Sequence, residues 1–235
     1  MSHPERVEQQ GRRLLSAVER LVDDCDDLIS QVAACRAATT PQATDTEPGH
    51  LVAAASRLIS TYSTKSALAG ALTALPGMIV GPGTVVAMVG GSLADMTLML
   101  KYEVELALCL THLYGHDIRD ERERWLAYLL ATVTTYEAGS GHNYFVDLAV
   151  VQLEALRKYT PRQLSKMAVT AMGRYALLRA SRGVFKGVPL VGIVIGASAN
   201  KLLTTSVGWR CVDALSRRQL ALGPEEQHIV EAKVT

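Results

Sequence analysis

The tightest constraint on this chain is a run of 29 residues, Ser66 to Ala94, without a single charge. At its centre lies LPGMIVGPGTVVAMVGG, Leu75 to Gly91, with two prolines and five glycines. A helix needs about 20 apolar residues to cross the hydrocarbon of a bilayer, so the run is long enough to span. However, Pro76-Gly77 and Gly81-Pro82-Gly83 break it near its middle, because proline lacks an amide and clashes with the preceding turn. Each remaining arm holds about ten residues, too few to cross singly. Freed backbone groups at membrane depth also need neighbours to satisfy them. The run therefore reads as a helical hairpin that either dips into one leaflet or is buried in protein. Leu75, Met78, Ile79, Val80, Val85 and Val86 are its candidate lipid-contacting side chains. A dinucleotide loop is disfavoured. The preceding segment is helical rather than extended, and Pro82 removes an amide that would cradle phosphate.

A second uncharged stretch, GVPLVGIVIGASAN (187–200), is also short of a span. Leu190, Val191, Ile193, Val194 and Ile195 are its apolar candidates. Gly192 and Gly196 make a small-xxx-small face continued by Asn200, a spacing that lets a second helix backbone approach closely. Two glycine-rich hairpins packed on each other account for both stretches, whether they face protein or lipid.

The rest of the chain shows helical periodicity and no sustained alternation of period two. Val7, Leu14, Val18, Leu21, Cys25, Leu28, Val32 and Cys35 fall on one seam in steps of three and four, with Gly11 as its small position. This predicts one long amphipathic helix over residues 1–36, packed internally or paired as a coiled coil. AATTPQATDTEPG (37–49) has linker composition. Helices are then expected from His50 to Leu75, Thr84 to Tyr114 (ending at Gly115), Asp120 to Tyr136, Asn143 to Tyr159, Thr160 to Arg182 and Pro189 to Leu222. EAGSGHN (137–143) is expected to be a loop, and 223–235 a tail. The fold class is all-α: a helical bundle around two Gly/Pro-broken hairpins.

Net charge is only +1, but it is uneven. Residues 1–156 sum to −8, residues 157–221 to +11 and the last 14 to −2. Such asymmetry fits a surface meeting an anionic partner, or two halves that neutralise each other. Arg157, Lys158, Arg162, Lys166, Arg174, Arg179, Arg182 and Lys186 form the candidate basic face, spread around one helix and its flanks. Nucleic acid is not expected, since helix-turn-helix, zinc-finger and RNP patterns are missing and aromatics do not interleave with the charges. Cys25, Cys35, Cys109 and Cys211 form no CxxC pair and read as reduced core thiols. The polar N-terminus lacks a signal-peptide core, so the expected site of action is the cytoplasm.

Chemistry is sparsely signalled, and no cofactor is implied. His112 and His116, four residues apart, could share a helix face and hold a metal if a third ligand arrived. The plainer reading is imidazoles near a helix C-terminus. Asp95, among Leu93, Met96, Leu98 and Met99, is either a functional carboxylate or one paired to a cation such as Lys101 or Lys201. Ser140 beside His142 lacks the strand–turn–helix setting of a nucleophile elbow. An enzyme would have to draw on Asp95, His112 and His116.

The hairpin (75–91) leads into SLADMTLMLKYEVELALCLTHLYGHD (92–117), then a charged helix start (120–124), then PLVGIVIGASAN and VGWRCVDALSRRQL (207–220). In this order, across residues 50–221, the segments resemble the EcsC family of bacterial proteins. The resemblance implies a hydrophobic or membrane-associated protein and supplies no catalytic residues. The combined expectation is a non-enzymatic peripheral protein of the inner membrane face. Its hairpins and basic helix would contact anionic lipid or an acyl chain. The alternatives are a soluble scaffold that recruits a partner or self-associates through its N-terminal helix, and a hydrolase-like enzyme.

Overall fold

The computed structural model describes the backbone of residues 2–39, 47–74, 84–140, 158–182 and 189–221, and side chains within 2–39, 49–71, 96–136, 158–178 and 198–220. All regular structure among them is helical: α1 His3–Glu19, α2 Cys25–Ala37, α3 Glu47–Ala74, α4 Thr84–Leu113, α5 Glu121–Ser140, α6 Pro161–Arg182 and α7 Pro189–Ala221. This is the all-α bundle that the periodicity predicts.

Local chemistry sets the helix ends. Ser2 and Glu5 form a capping box at the start of α1. Asp120 accepts from the amides of Arg122 and Glu123 at the start of α5. The Thr160 hydroxyl and the Gln163 side chain close the start of α6, where Pro161 takes the first helical position. Gly115 ends α4 as its composition predicts. Its φ of 86° is left-handed, its amide bonds the His112 carbonyl, and the His116 amide reaches back to Thr111.

The N-terminal seam is where the structure departs most from expectation. It is two helices, not one. The Asp24 carboxylate accepts from the amides of Asp26 and Asp27 and starts α2 afresh. The Asp23 amide turns aside to the Glu105 carboxylate at 2.8 Å, and Leu21 is exposed. Short acidic side chains favour such caps over helix continuation. The seam also faces inward: Leu14, Val18, Leu28 and Val32 belong to the main core. Two smaller differences follow. α3 begins at Glu47, inside the expected linker, and α5 runs on through Ser140, taking in half of the expected loop. The expected helix over 143–159 lies almost wholly outside the described residues.

α4 is the spine. It packs against α1, α2, α3, α5 and α7, and Leu100, Val104, Leu106, Leu108 and Leu110 along it are buried on all sides. Contacts fix the register of its neighbours. α7 runs parallel to it, with Leu106 beside Gly208 and the Tyr114 hydroxyl 3.1 Å from Ser216. α3 runs antiparallel to α7, with Ile59 against Gly208 and Ser66 accepting from Thr204 at 3.0 Å. α5 runs back along α4, with Thr135 donating to Glu103 at 2.6 Å. α6 starts beside the start of α5, where Leu126 and Leu164 pack with Trp125 and Met167, and packs along it.

α1 crosses α6 in near backbone contact. A Cβ on Gly11 would fall on the carbonyl oxygen of Val169, and a Cβ on Gly173 on that of Val7. The two glycines thus make a reciprocal crossing that only a missing side chain permits. Gly173→Ala is expected to force the helices apart and destabilise the fold by about 2–3 kcal/mol, the scale of overpacking in a rigid interior. Urea unfolding of the variant measures this, and an unchanged midpoint would rule out the crossing.

Candidate functional site

The register brings both uncharged stretches to one end of the bundle. α4 starts at Thr84 and α7, parallel and level with it, starts at Pro189, while α3 arrives antiparallel and ends at Ala74. The end of α3 and the starts of α4 and α7 therefore lie at the same pole. Leu75, Met78, Ile79 and Val80 lie outside the described residues. Val85, Val86, Leu190, Val191, Ile193, Val194, Ile195, Gly192 and Gly196 stand in the first turns of α4 and α7, with side chains likewise outside the description. Just inside the pole, Leu68 on α3 is 61% exposed and Leu202 on α7 is 71% exposed. The antiparallel register places these two at nearly one level. Asn200, two residues closer to the pole, is buried. Among the described residues no helix is long and apolar enough to cross a membrane.

The three candidate acid–base residues do not converge. Asp95 and His112 are 17 residues apart on α4, which at 1.5 Å per residue separates them by about 26 Å along the axis. Lys101, offered by spacing as a partner for Asp95, instead pairs with Glu105 at 2.9 Å and Asp23 at 3.5 Å. His112 and His116 do not share a helix face either, since the chain turns at Gly115 between them. The His116 ring is buried, with no hydrogen-bond partner on Nε2. No group of three potential metal ligands exists among the described residues. All four cysteines are unpaired. Burial pushes the thiols of Cys109 and Cys211 up to about 12, so both are held as unreactive core thiols.

Spacing does not reveal the polar groups that the fold buries. Glu103 and Glu105 are both fully buried on α4, though alternate residues of a helix point to different sides. Only a helix enclosed all round buries both. Glu105 is held by Lys101 and by the Asp23 amide, and its carboxyl is pushed upward mainly by burial. Arg218 and Glu123 form a bidentate pair at 2.6 and 2.8 Å, with side chains 3% and 14% exposed. Glu123 sits in the first turn of α5 and Arg218 in the last turn of α7, each at the helix end whose dipole favours its charge.

The basic residues divide by position. Arg162, Lys166 and Arg174 are exposed and line one groove between α1 and α6, joined by Arg12 of α1. Among the described residues no ion pair involves Arg162, Lys166 or Arg174. Lys158 is exposed just before α6. Arg179 and Arg182 stand near the far end of α6, toward the apolar pole. Arg157 and Lys186 lie outside the described residues. The single basic face of the sequence reading is thus two regions. Lys166 and Arg182 are about 24 Å apart along the helix.

Comparison of the chain with protein-family models, with characterised proteins and with solved structures finds no match.

His116 supplies a pH test of this packing. Burial, with Arg218 beside it, lowers its pKa to about 4 from an ordinary value near 6.5. The folded chain therefore holds the ring neutral. The stability this gives is complete above pH 6.5 and is lost as pH falls toward 4, by about 2 kcal/mol at pH 5. Urea unfolding at pH 7.5 and 5 should show that drop, and His116→Asn should lose less. Equal drops in the two proteins would mean that the ring is solvated.

Proposed function

We propose that this protein binds the inner, anionic face of a membrane without crossing it, as its resemblance to the EcsC family suggests. The observation that carries the reading is that the end of α3 and the starts of α4 and α7, which belong to the two uncharged segments, meet at one pole beside exposed Leu68 and Leu202. Inserted apolar hairpins supply the non-ionic part of such binding. Arg179 and Arg182, toward that pole, and Lys186, which follows α6 in sequence, supply the ionic part, at about 1 kcal/mol for each cation near an anionic surface. No catalytic role is assigned, because Asp95 lies far along α4 from His112 and His116. The scaffold alternative leaned on an N-terminal coiled-coil seam, and that seam faces this chain's own core.

Sedimentation with vesicles tests the reading. The protein should pellet with anionic vesicles and less with neutral ones. Raising the salt should weaken pelleting without abolishing it, since screening acts on the ionic part alone. Leu68→Glu with Leu202→Glu should cut the salt-resistant fraction at least fivefold at unchanged thermal stability, because both side chains are already in solvent. Absence of pelleting under every lipid and salt condition would make the pole ordinary protein core.

A further inference from the structure

The groove between α1 and α6 is a feature of its own. It encloses about 600 Å³, within the range of small-ligand sites. Its walls carry Arg162, Lys166 and Arg174 from α6, and Arg12 from α1. Arg12 is already neutralised by Glu8, at 2.6 and 3.0 Å on the same helix. Three positive charges are left without a protein counter-charge among the described residues, all facing one concavity. Pro4, Val7 and Val169 add an aliphatic part to the lining. His3 also stands in the lining, and no Phe, Tyr or Trp does.

The glycine crossing explains why the concavity exists. Gly11 and Gly173 bring α1 and α6 to backbone contact, and side chains larger than glycine beside that point stand up as walls. The lining residues on α6 run from Arg162 to Arg174, about 18 Å of helix. That length admits a short chain as well as a head group.

We propose that this groove binds a small phosphomonoester with an aliphatic tail. The phosphate sits at Arg162 and Lys166, one turn apart on α6, the tail lies over Val7 and Val169, and Arg174, about 12 Å beyond Lys166 along the helix, adds its charge at the far end of the groove. Three uncompensated cations complement a dianion better than the single charge of a carboxylate. The Arg162 guanidinium is a fork that matches phosphate oxygens in pairs. The aliphatic lining adds affinity that inorganic phosphate cannot use. The phosphate end of the site lies on the flank of the bundle, in the half of α6 away from the pole, and does not depend on membrane insertion.

Calorimetric titration with monomeric dodecyl phosphate, below its aggregation threshold, tests the proposal on the full chain. One site per chain is expected, at least tenfold tighter than for inorganic phosphate or for dodecanoate, and weakened by salt. Arg162→Glu and Lys166→Glu, both at exposed positions, should each lower the affinity at least tenfold with unchanged circular dichroism and thermal midpoint. Glu8→Gln should raise it. Absence of binding, equal affinity for dodecanoate, or binding unaffected by both charge reversals would overturn the assignment. Vesicle pelleting serves as the separating control. The charge reversals should leave it intact, and its loss would make the groove a bilayer contact rather than a site for a single ligand.

Discussion

Enclosure of α4 on every side from Glu103 to Thr111 is the constraint from which the rest of the architecture follows. A helix at a surface turns its charges outward, but one surrounded by five others has no outward side. Glu103 and Glu105 are therefore buried, and each needs a partner supplied by a neighbour: Thr135 from α5 for the first, Lys101 and the Asp23 amide for the second. Those demands reach back into the chain. The Asp23 amide serves Glu105 because the N-terminal seam breaks between α1 and α2 at that point, with the Asp24 cap starting the new helix. A continuous helix would have kept that amide for itself.

The same enclosure orders the ends of the bundle. With α7 parallel to α4 and α3 and α5 antiparallel, one end gathers the starts of α4 and α7. The opposite end gathers the Gly115 turn, His116 and the Glu123–Arg218 pair. The Gly115 turn and the buried ion pair thus sit at one end, and the starts of α4 and α7, which belong to the uncharged stretches, at the other. The buried ion pair at the polar end is sensitive to loss of a single partner, since the remaining charge would stay desolvated. The apolar end has exposed leucines instead, and the proposed orientation on a membrane rests on that contrast.

Much of the fold was legible in the sequence, because helical periodicity, Pro161, Gly115 and the Asp120 start are local signals. The inward seam was legible as apolar spacing, but its break was not. A heptad register and two short helices in the same register look alike until the carboxylate of Asp24 is seen to cap amides. The burial of Glu103 and Glu105 had no sequence signal, because it depends on what surrounds α4. Gly11 stood out as the small position on its seam, whereas Gly173 gained meaning only from the crossing. The candidate site was legible in part. The two uncharged stretches could be read off directly, and their meeting at one pole required the parallel register of α4 and α7. The basic residues looked scattered around one helix. Three of them face a groove only because α1 lies across α6.

The most direct test of the polar–apolar orientation is position-dependent fluorescence on vesicles. An environment-sensitive label would be placed in turn at positions 68, 202 and 166, in a chain whose half-buried Cys25 and Cys35 are replaced by serine. Labels at 68 and 202 should shift to the blue and become inaccessible to an aqueous quencher when anionic vesicles are added, while the label at 166 stays in water. A blue shift at 166 with none at 68 and 202 would contradict the account, and would turn the molecule around relative to the membrane.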